Sequence, residues 1–381
     1  MASRASGGRP NPSRGRRPGS HRRPTAVQVR RRRLGAVLVL ATVLCLLVVL
    51  TVAVTGGGRA KQAVPPARHT SPSTTAIATD APVPAVESGL LPWQLNGPLS
   101  REVVLPSADG SSFVVVGGLG AEGLSDQGVY RVDPVNGHAT RIGQLVAPLH
   151  DGAGVELRGR GYVFGGGTAV PLASAQRLVS LGAAGVSSTG TAATLAPLPQ
   201  PRADDSAVTI GATAYIVGGY DGSSGDAAVL ATTDGSSYTA VAHLPVPVRY
   251  AAAVASGGDI YVFGGDATSG AHAGAPVSTV QVVDPATGHA TIAGSLPEPL
   301  AGASAAVLGG QIYIAGGETS SETGTAGTGT PAAVDTIWAW LSDRHHALAA
   351  GRLMVGSRTP PSRCWASGPG SSAARPHPAR Q

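Results

Sequence analysis

Short apolar runs, each ending in a pair of glycines, recur through most of this chain. Asp259-Ile260-Tyr261-Val262-Phe263 runs into Gly264-Gly265, and further pairs stand at Gly117-Gly118, Gly165-Gly166, Gly218-Gly219 and Gly316-Gly317, at steps of 48, 53, 46 and 52 residues. Tyr162, Tyr215, Tyr261 and Tyr313 each precede their pair by three residues, which takes half of the 8 tyrosines. Scarce aromatics held in register mark an internal repeat. Within each copy the pattern predicts four strands. A proline turn leads in, with Pro148, Pro201, Pro247 and Pro299 each 17 residues before the glycine pair, and Pro98 two residues further away. A small apolar strand such as Ala251 to Ala255 follows, then the tyrosine strand. After a polar loop of variable length come two more strands, such as Val280 to Val283 and His289 to Ala293. Apolar residues on both faces of these strands fit sheets stacked between neighbours.

The pattern before the repeat is of another kind. Residues 1–33 are rich in Arg, Gly, Pro and Ser and too poor in apolar groups to fold. Leu34 to Val54 is a run of 21 residues without a charge, and at ~1.5 Å per residue it reaches across one bilayer core. Arg30 to Arg33 stand directly before it, so the positive-inside rule predicts a single transmembrane helix with a cytoplasmic N-terminus. A cleaved signal peptide would have a shorter apolar region and a shorter basic lead. Residues 55–90, with Pro65-Pro66, Ser71 to Thr75, Pro82 and Pro84, read as a Pro/Ser/Thr stalk. The expected location is the cell membrane, single-pass, with the repeat domain outside the cytoplasm. An irregular tail runs from 354 to 381.

Composition agrees, and charge corrects a first impression. The chain holds 54 Gly and 30 Pro in 381 residues, which suits a turn-dense all-β protein. Its net charge of +6 comes from the two ends. Residues 34–341 carry eleven basic groups against 21 acidic ones, so no nucleic-acid surface is expected on the domain. Cys45 and Cys364 are far apart in sequence of different kinds and define no disulfide framework or thiol metal site.

The repeat resembles the kelch repeat. The likeness is carried by Tyr162-Val163-Phe164-Gly165-Gly166 and Tyr261-Val262-Phe263-Gly264-Gly265, by the turns Val132-Asp133-Pro134-Val135-Asn136-Gly137 and Val282-Val283-Asp284-Pro285-Ala286-Thr287-Gly288, and by Leu198-Pro199-Gln200-Pro201-Arg202. The resemblance covers residues 91–353 and implies a β-propeller with one four-stranded blade per repeat. His138-Ala139-Thr140 and His289-Ala290-Thr291 stand where the family has a tryptophan. The expected fold is therefore an all-β, kelch-like propeller behind a transmembrane helix. Five blades are recognisable. The pattern breaks near residues 340–354, where the Asp-Pro turn is missing, while Trp93-Gln94-Leu95 looks like a surplus outer strand. That combination predicts a product of six or seven blades whose reading is truncated or frame-shifted there.

Candidate chemistry is sparse. Gly118-Leu119-Gly120-Ala121-Glu122-Gly123 matches a dinucleotide fingerprint, yet no helical pattern follows it to receive a pyrophosphate. Asp221 to Asp226 lacks the ligand spacing of a calcium loop. His345 and His346 are adjacent, so on a strand they would face opposite ways. No cofactor or metal site is expected. One constellation remains. Three residues past the turn prolines stand Arg101, Asp151, Asp204, Tyr250 and Gly302, with His150, Arg202 and Arg249 beside them. In a propeller these turns converge on one mouth of the central channel, and convergent polar groups there predict a ligand-binding site for a protein or glycan at the cell envelope. Kelch-type propellers also include copper oxidases and a sugar-acid mutarotase, so the alternatives are a carbohydrate-directed enzyme and a purely structural envelope protein. The oxidase chemistry would need a cysteine among the blades, and neither cysteine lies there.

Overall fold

The computed structural model describes residues 83–107, 109–181, 190–320 and 331–354. The basic leader, the apolar run Leu34–Val54, most of the stalk, both cysteines and the tail after 354 lie outside the described residues. Among the described residues no helix is long and apolar enough to cross a membrane.

The alternation seen in the sequence builds five antiparallel units of four strands. In the fourth, Ala252–Ser256 pairs with Asp259–Phe263, which pairs with Thr279–Asp284, which pairs with His289–Ser295. The other innermost strands are Val103–Pro106, His150–Leu157, Ser206–Ile210 and Ser304–Leu308. Each lies beside the next in chain order, as blades around an axis require. A bulge falls between the third and fourth strands of four blades, at Val129/Tyr130, Val229/Leu230, Val280/Gln281 and Ile337/Trp338. Bulges strengthen the local twist.

The two apolar faces of each strand are used between blades. Val103, Val114 and Val116 of the first blade pack on Val163 and Leu178 of the second. Phe164 of the second meets Ile216 and Leu230 of the third. Val217 and Val229 of the third meet Ile260 and Val283 of the fourth. Phe263 of the fourth packs edge-on to Trp340 of the fifth, with ring centroids 5.8 Å apart. Buried glutamines stitch the links: Gln281 accepts from the Val246 N–H at 2.9 Å and donates to its carbonyl at 3.0 Å, while Gln176 accepts from Val146.

The glycine pairs do what close backbone approach requires. Both members of all five are left-handed. The second donates its N–H to the next blade in four of them, from Gly118 to Leu149, Gly166 to Arg202, Gly219 to Val248 and Gly265 to Leu300, at 2.8–2.9 Å.

The structure decides three points. The fifth blade is complete, as its repeat predicts: Thr336–Leu341 and His346–Arg352 pair along their whole length. Their turn lacks the Asp-Pro sequence but keeps its geometry. His345 donates its N–H to Leu341 at 2.9 Å, as Gly288 does to Asp284 and Gly137 to Asp133. Second, Trp93 belongs to no strand. Its indole N–H donates to the Pro134 carbonyl at 3.0 Å and its ring lies over Gly137, so it caps the outer hairpin of the first blade. Third, the packed unit begins before Leu91. Val83 and Val86 pack with Tyr313, Ile337 and Ala350, and the Val86 N–H donates to Ala350 at 2.9 Å. Residues 83–88 of the predicted stalk thus lie on the fifth blade, because that blade has an apolar face with no sixth sheet against it among the described residues.

His345 is exposed and left-handed, with φ 58°. Glycine takes that conformation without the Cβ penalty, so His345→Gly should raise stability by about 0.5–1 kcal/mol in denaturant unfolding. A loss would mean that the histidine side chain, and not the turn, sets the local energy.

Candidate functional site

Every turn proline is followed by the same backbone course. The third residue after it is left-handed in all five blades: Arg101, Asp151, Asp204 and Tyr250 with φ 55–59°, and Gly302 with φ 69°. These residues form a blade-to-blade ladder. Asp151 donates its N–H to Arg101, Asp204 to Asp151, Tyr250 to Asp204 and Gly302 to Tyr250, at 2.8–3.0 Å. A left-handed residue with a side chain is strained by about 1 kcal/mol or more. Four in a row persist because each gains a hydrogen bond to the neighbouring blade.

The ladder brings four charged side chains together. Arg101 Nη1 lies 2.8 Å from Asp151 Oδ2, and Arg249 Nη1 lies 3.5 Å from Asp204 Oδ2. The Arg249 guanidinium is held between two rings, 5.1 Å from the centroid of Tyr220 and 5.2 Å from that of Tyr250. His150 Nε2 stands 3.5 Å from Asp151, and its Nδ1 shares a 2.8 Å hydrogen bond with Ser125. Together they line a cavity of about 720 Å³ that also touches Leu119, Gly123, Val170 and Pro171. A smaller one of about 300 Å³, lined by Gly143 and Gly190, has Arg141 as its charged group, and Gln144 partners that arginine at 3.0 Å.

Burial shapes the ionisation of the cluster. Loss of water and the neighbouring Asp151 push the Asp204 carboxyl up to about 7, against the Tyr250 hydroxyl and both guanidinium groups, which favour its charge. Asp151 is also raised, chiefly by burial, and its carboxyl is in hydrogen-bonding reach of Asp204. Burial and Arg101 lower His150, which favours its neutral form. Two carboxyls this close resist ionising together.

Residues 247–289, from the turn proline of the fourth blade to the start of its outer strand, match the kelch motif. This segment is a kelch repeat. The five four-stranded units among the described residues, one of them carrying this motif, fit a β-propeller. Among curated proteins none matches the sequence.

The kelch register accounts for which predicted residues reach the mouth. Arg101, His150, Asp151, Asp204, Arg249 and Tyr250 all line the cavity. Arg202 does not. It is 0% exposed and lies in the wall between the second and third blades. There it pairs with Asp226 and donates to the carbonyls of Gly218 at 3.1 Å and Ala228 at 3.0 Å. The reason is its place one residue past the proline, where the second, fourth and fifth blades carry buried Leu149, Val248 and Leu300. Side chains two and three past the proline turn to the channel. That aliphatic column is visible in the sequence and was the signal to exclude Arg202. Tyr220, immediately after its glycine pair, is a lining residue that sequence reasoning missed.

The other motifs settle into loops. Leu119–Gly120 pairs with Leu99–Ser100 and no helix follows among the described residues, so the glycine-rich stretch shapes the rim. Asp221 accepts from the backbone of Ser224 and Ser223, which holds its carboxyl down at about 2, and Asp226 is committed to Arg202. Among the described residues no group of three or more His, Cys, Asp or Glu is placed to hold a metal ion.

Proposed function

We propose that this chain is a membrane-anchored, extracytoplasmic binding module that receives a protein or glycan ligand at the channel mouth. The observation that carries the reading is the convergence of Arg101, Asp151, Asp204, Arg249 and Tyr250 on one cavity of about 720 Å³. Concave sites with a few convergent polar groups are where ligands bind. Kelch repeats commonly mediate protein–protein interaction, in keeping with such a module. The anchor rests on the charge-free run Leu34–Val54 behind Arg30 to Arg33.

The test is a glycan array and a binding-partner screen on the full chain, followed by a mouth variant combining Asp151→Asn, Asp204→Asn and Arg249→Gln. Asparagine is used because it tolerates left-handed backbone. Binding should be lost while stability changes by no more than about 2 kcal/mol, since asparagine and glutamine keep the size and hydrogen-bonding reach of the groups they replace. An identified ligand that binds the variant as tightly as the parent would place the site elsewhere. A reporter fused after Ser88 should be active only outside the cytoplasm, and activity inside would refute the topology.

A further inference from the structure

The four charged groups at the mouth are not equivalent in exposure. The side chains of Arg101 and Arg249 are 25% and 20% exposed, whereas those of Asp151 and Asp204 are 10% and 6% exposed. The carboxyls lie beneath and the guanidinium groups face the cavity. A ligand entering from solvent therefore meets the positive groups first, braced from below by their partners. Guanidinium groups match carboxylates in shape and charge. Tyr220 and Tyr250, on either side of Arg249, add flat apolar surface beside that charge.

We propose that the mouth takes a small carboxylate-bearing ligand across Arg101 and Arg249, and that one proton is taken up as it binds. This rests on the reading of the mouth as the ligand site and names its chemistry.

The proton goes to the carboxyl pair. Asp204 is faced by Asp151, His150 and Arg101 from the preceding blades, by Arg249 and Tyr250 from the following turn, and by Asp205 next to it in the chain. With both Asp151 and Asp204 ionised, the two arginines are neutralised. With one proton held between the carboxyls, the cluster carries one net positive charge. An arriving anion favours the second state, so binding and proton uptake reinforce each other. The direction follows from the position of Asp204 near 7. Below that pH the proton is already present and affinity is flat. Above it each bound ligand must recruit a proton, and affinity falls toward tenfold per pH unit.

Titration calorimetry on the full chain in detergent, with defined probes, decides the matter. D-glucuronate and acetyl-glutamate are compared with their uncharged counterparts, glucose and acetyl-glutamine. At about pH 6 at least one carboxylate should bind tenfold or more tightly than its counterpart, and which one does so separates a sugar-acid source from a peptide source. Its affinity should fall between about pH 7 and about pH 8.5, and buffers of different ionisation heat should report close to one proton taken up at the upper end of that range and almost none at about pH 6. Arg101→Gln and Arg249→Gln should each weaken it roughly tenfold, and two variants guard against misfolding in either. Equal binding of charged and uncharged probes, no binding of any probe, or an affinity flat across that pH range would each overturn the proposal. The binding-module reading survives those outcomes if an array ligand is lost in the mouth variant, and fails on its own if it is not.

Discussion

Replacing Arg202 by alanine should destabilise the propeller by about 3–5 kcal/mol, the largest loss expected from any single polar substitution here. The side chain is 0% exposed, and Asp226, its partner, is also buried. Burial disfavours its charge, and Asp226 and Asp205 favour it. Removing it leaves the Asp226 carboxylate with the Gln200 amide and one backbone N–H, and strips a donor from the carbonyls of Gly218 and Ala228. An uncompensated buried charge is the costly part. The double variant Arg202→Leu with Asp226→Leu should recover much of the loss, because it restores the aliphatic column of Leu149, Val248 and Leu300. A double-mutant cycle by urea unfolding measures the coupling, expected at about 2 kcal/mol or more. A single-variant loss below about 1 kcal/mol would show that the buried pair carries no such burden.

Gly264→Ala should cost about 3 kcal/mol or more, and Gly316→Ala only about 1 kcal/mol, although both are first members of a glycine pair. Both are left-handed, with φ 58° and 74°. A Cβ on Gly264 would stand 2.1 Å from the Leu300 carbonyl oxygen of the fifth blade, and that oxygen accepts the Gly265 N–H at 2.8 Å. The methyl group can be housed only by moving the backbone of two blades apart, which breaks that bond and opens the packing of Phe263 on Trp340. At Gly316 the nearest atom is Leu353 Cδ1, at 3.7 Å. Its cost is left-handed strain alone. Urea unfolding of the two variants side by side checks the difference. Similar losses would mean that conformation, and not inter-blade approach, governs the pairs.

The candidate site was legible to the extent that its register was legible. Counting three residues from each proline located Arg101, Asp151, Asp204 and Tyr250 at one mouth, because equal spacing in a repeat puts equivalent residues at equivalent places around an axis. The same count failed for Arg202, where adjacency in sequence was read as adjacency in space. The left-handed residue at Asp204 breaks the simple alternation of extended chain there, and Arg202 points into the wall. Nothing local distinguishes an arginine bound for solvent from one bound for a buried partner 24 residues away.

Periodicity alone therefore laid out the five four-stranded units of the described residues, the course of their tyrosine strands, and the positions that converge. Those properties follow from backbone geometry and side-chain alternation, which are written residue by residue. Only the tertiary structure decided the rest. It placed Val83 and Val86 on the fifth blade, turned Trp93 into a cap for the first, and kept a turn at His345 without its usual sequence. It also set two carboxyls close enough to contend for one proton. Each of these depends on which surfaces remain uncovered after the blades have stacked, and on the distance between groups brought there from separate blades. Burial and distance are properties of the assembled chain, and a linear pattern does not contain them.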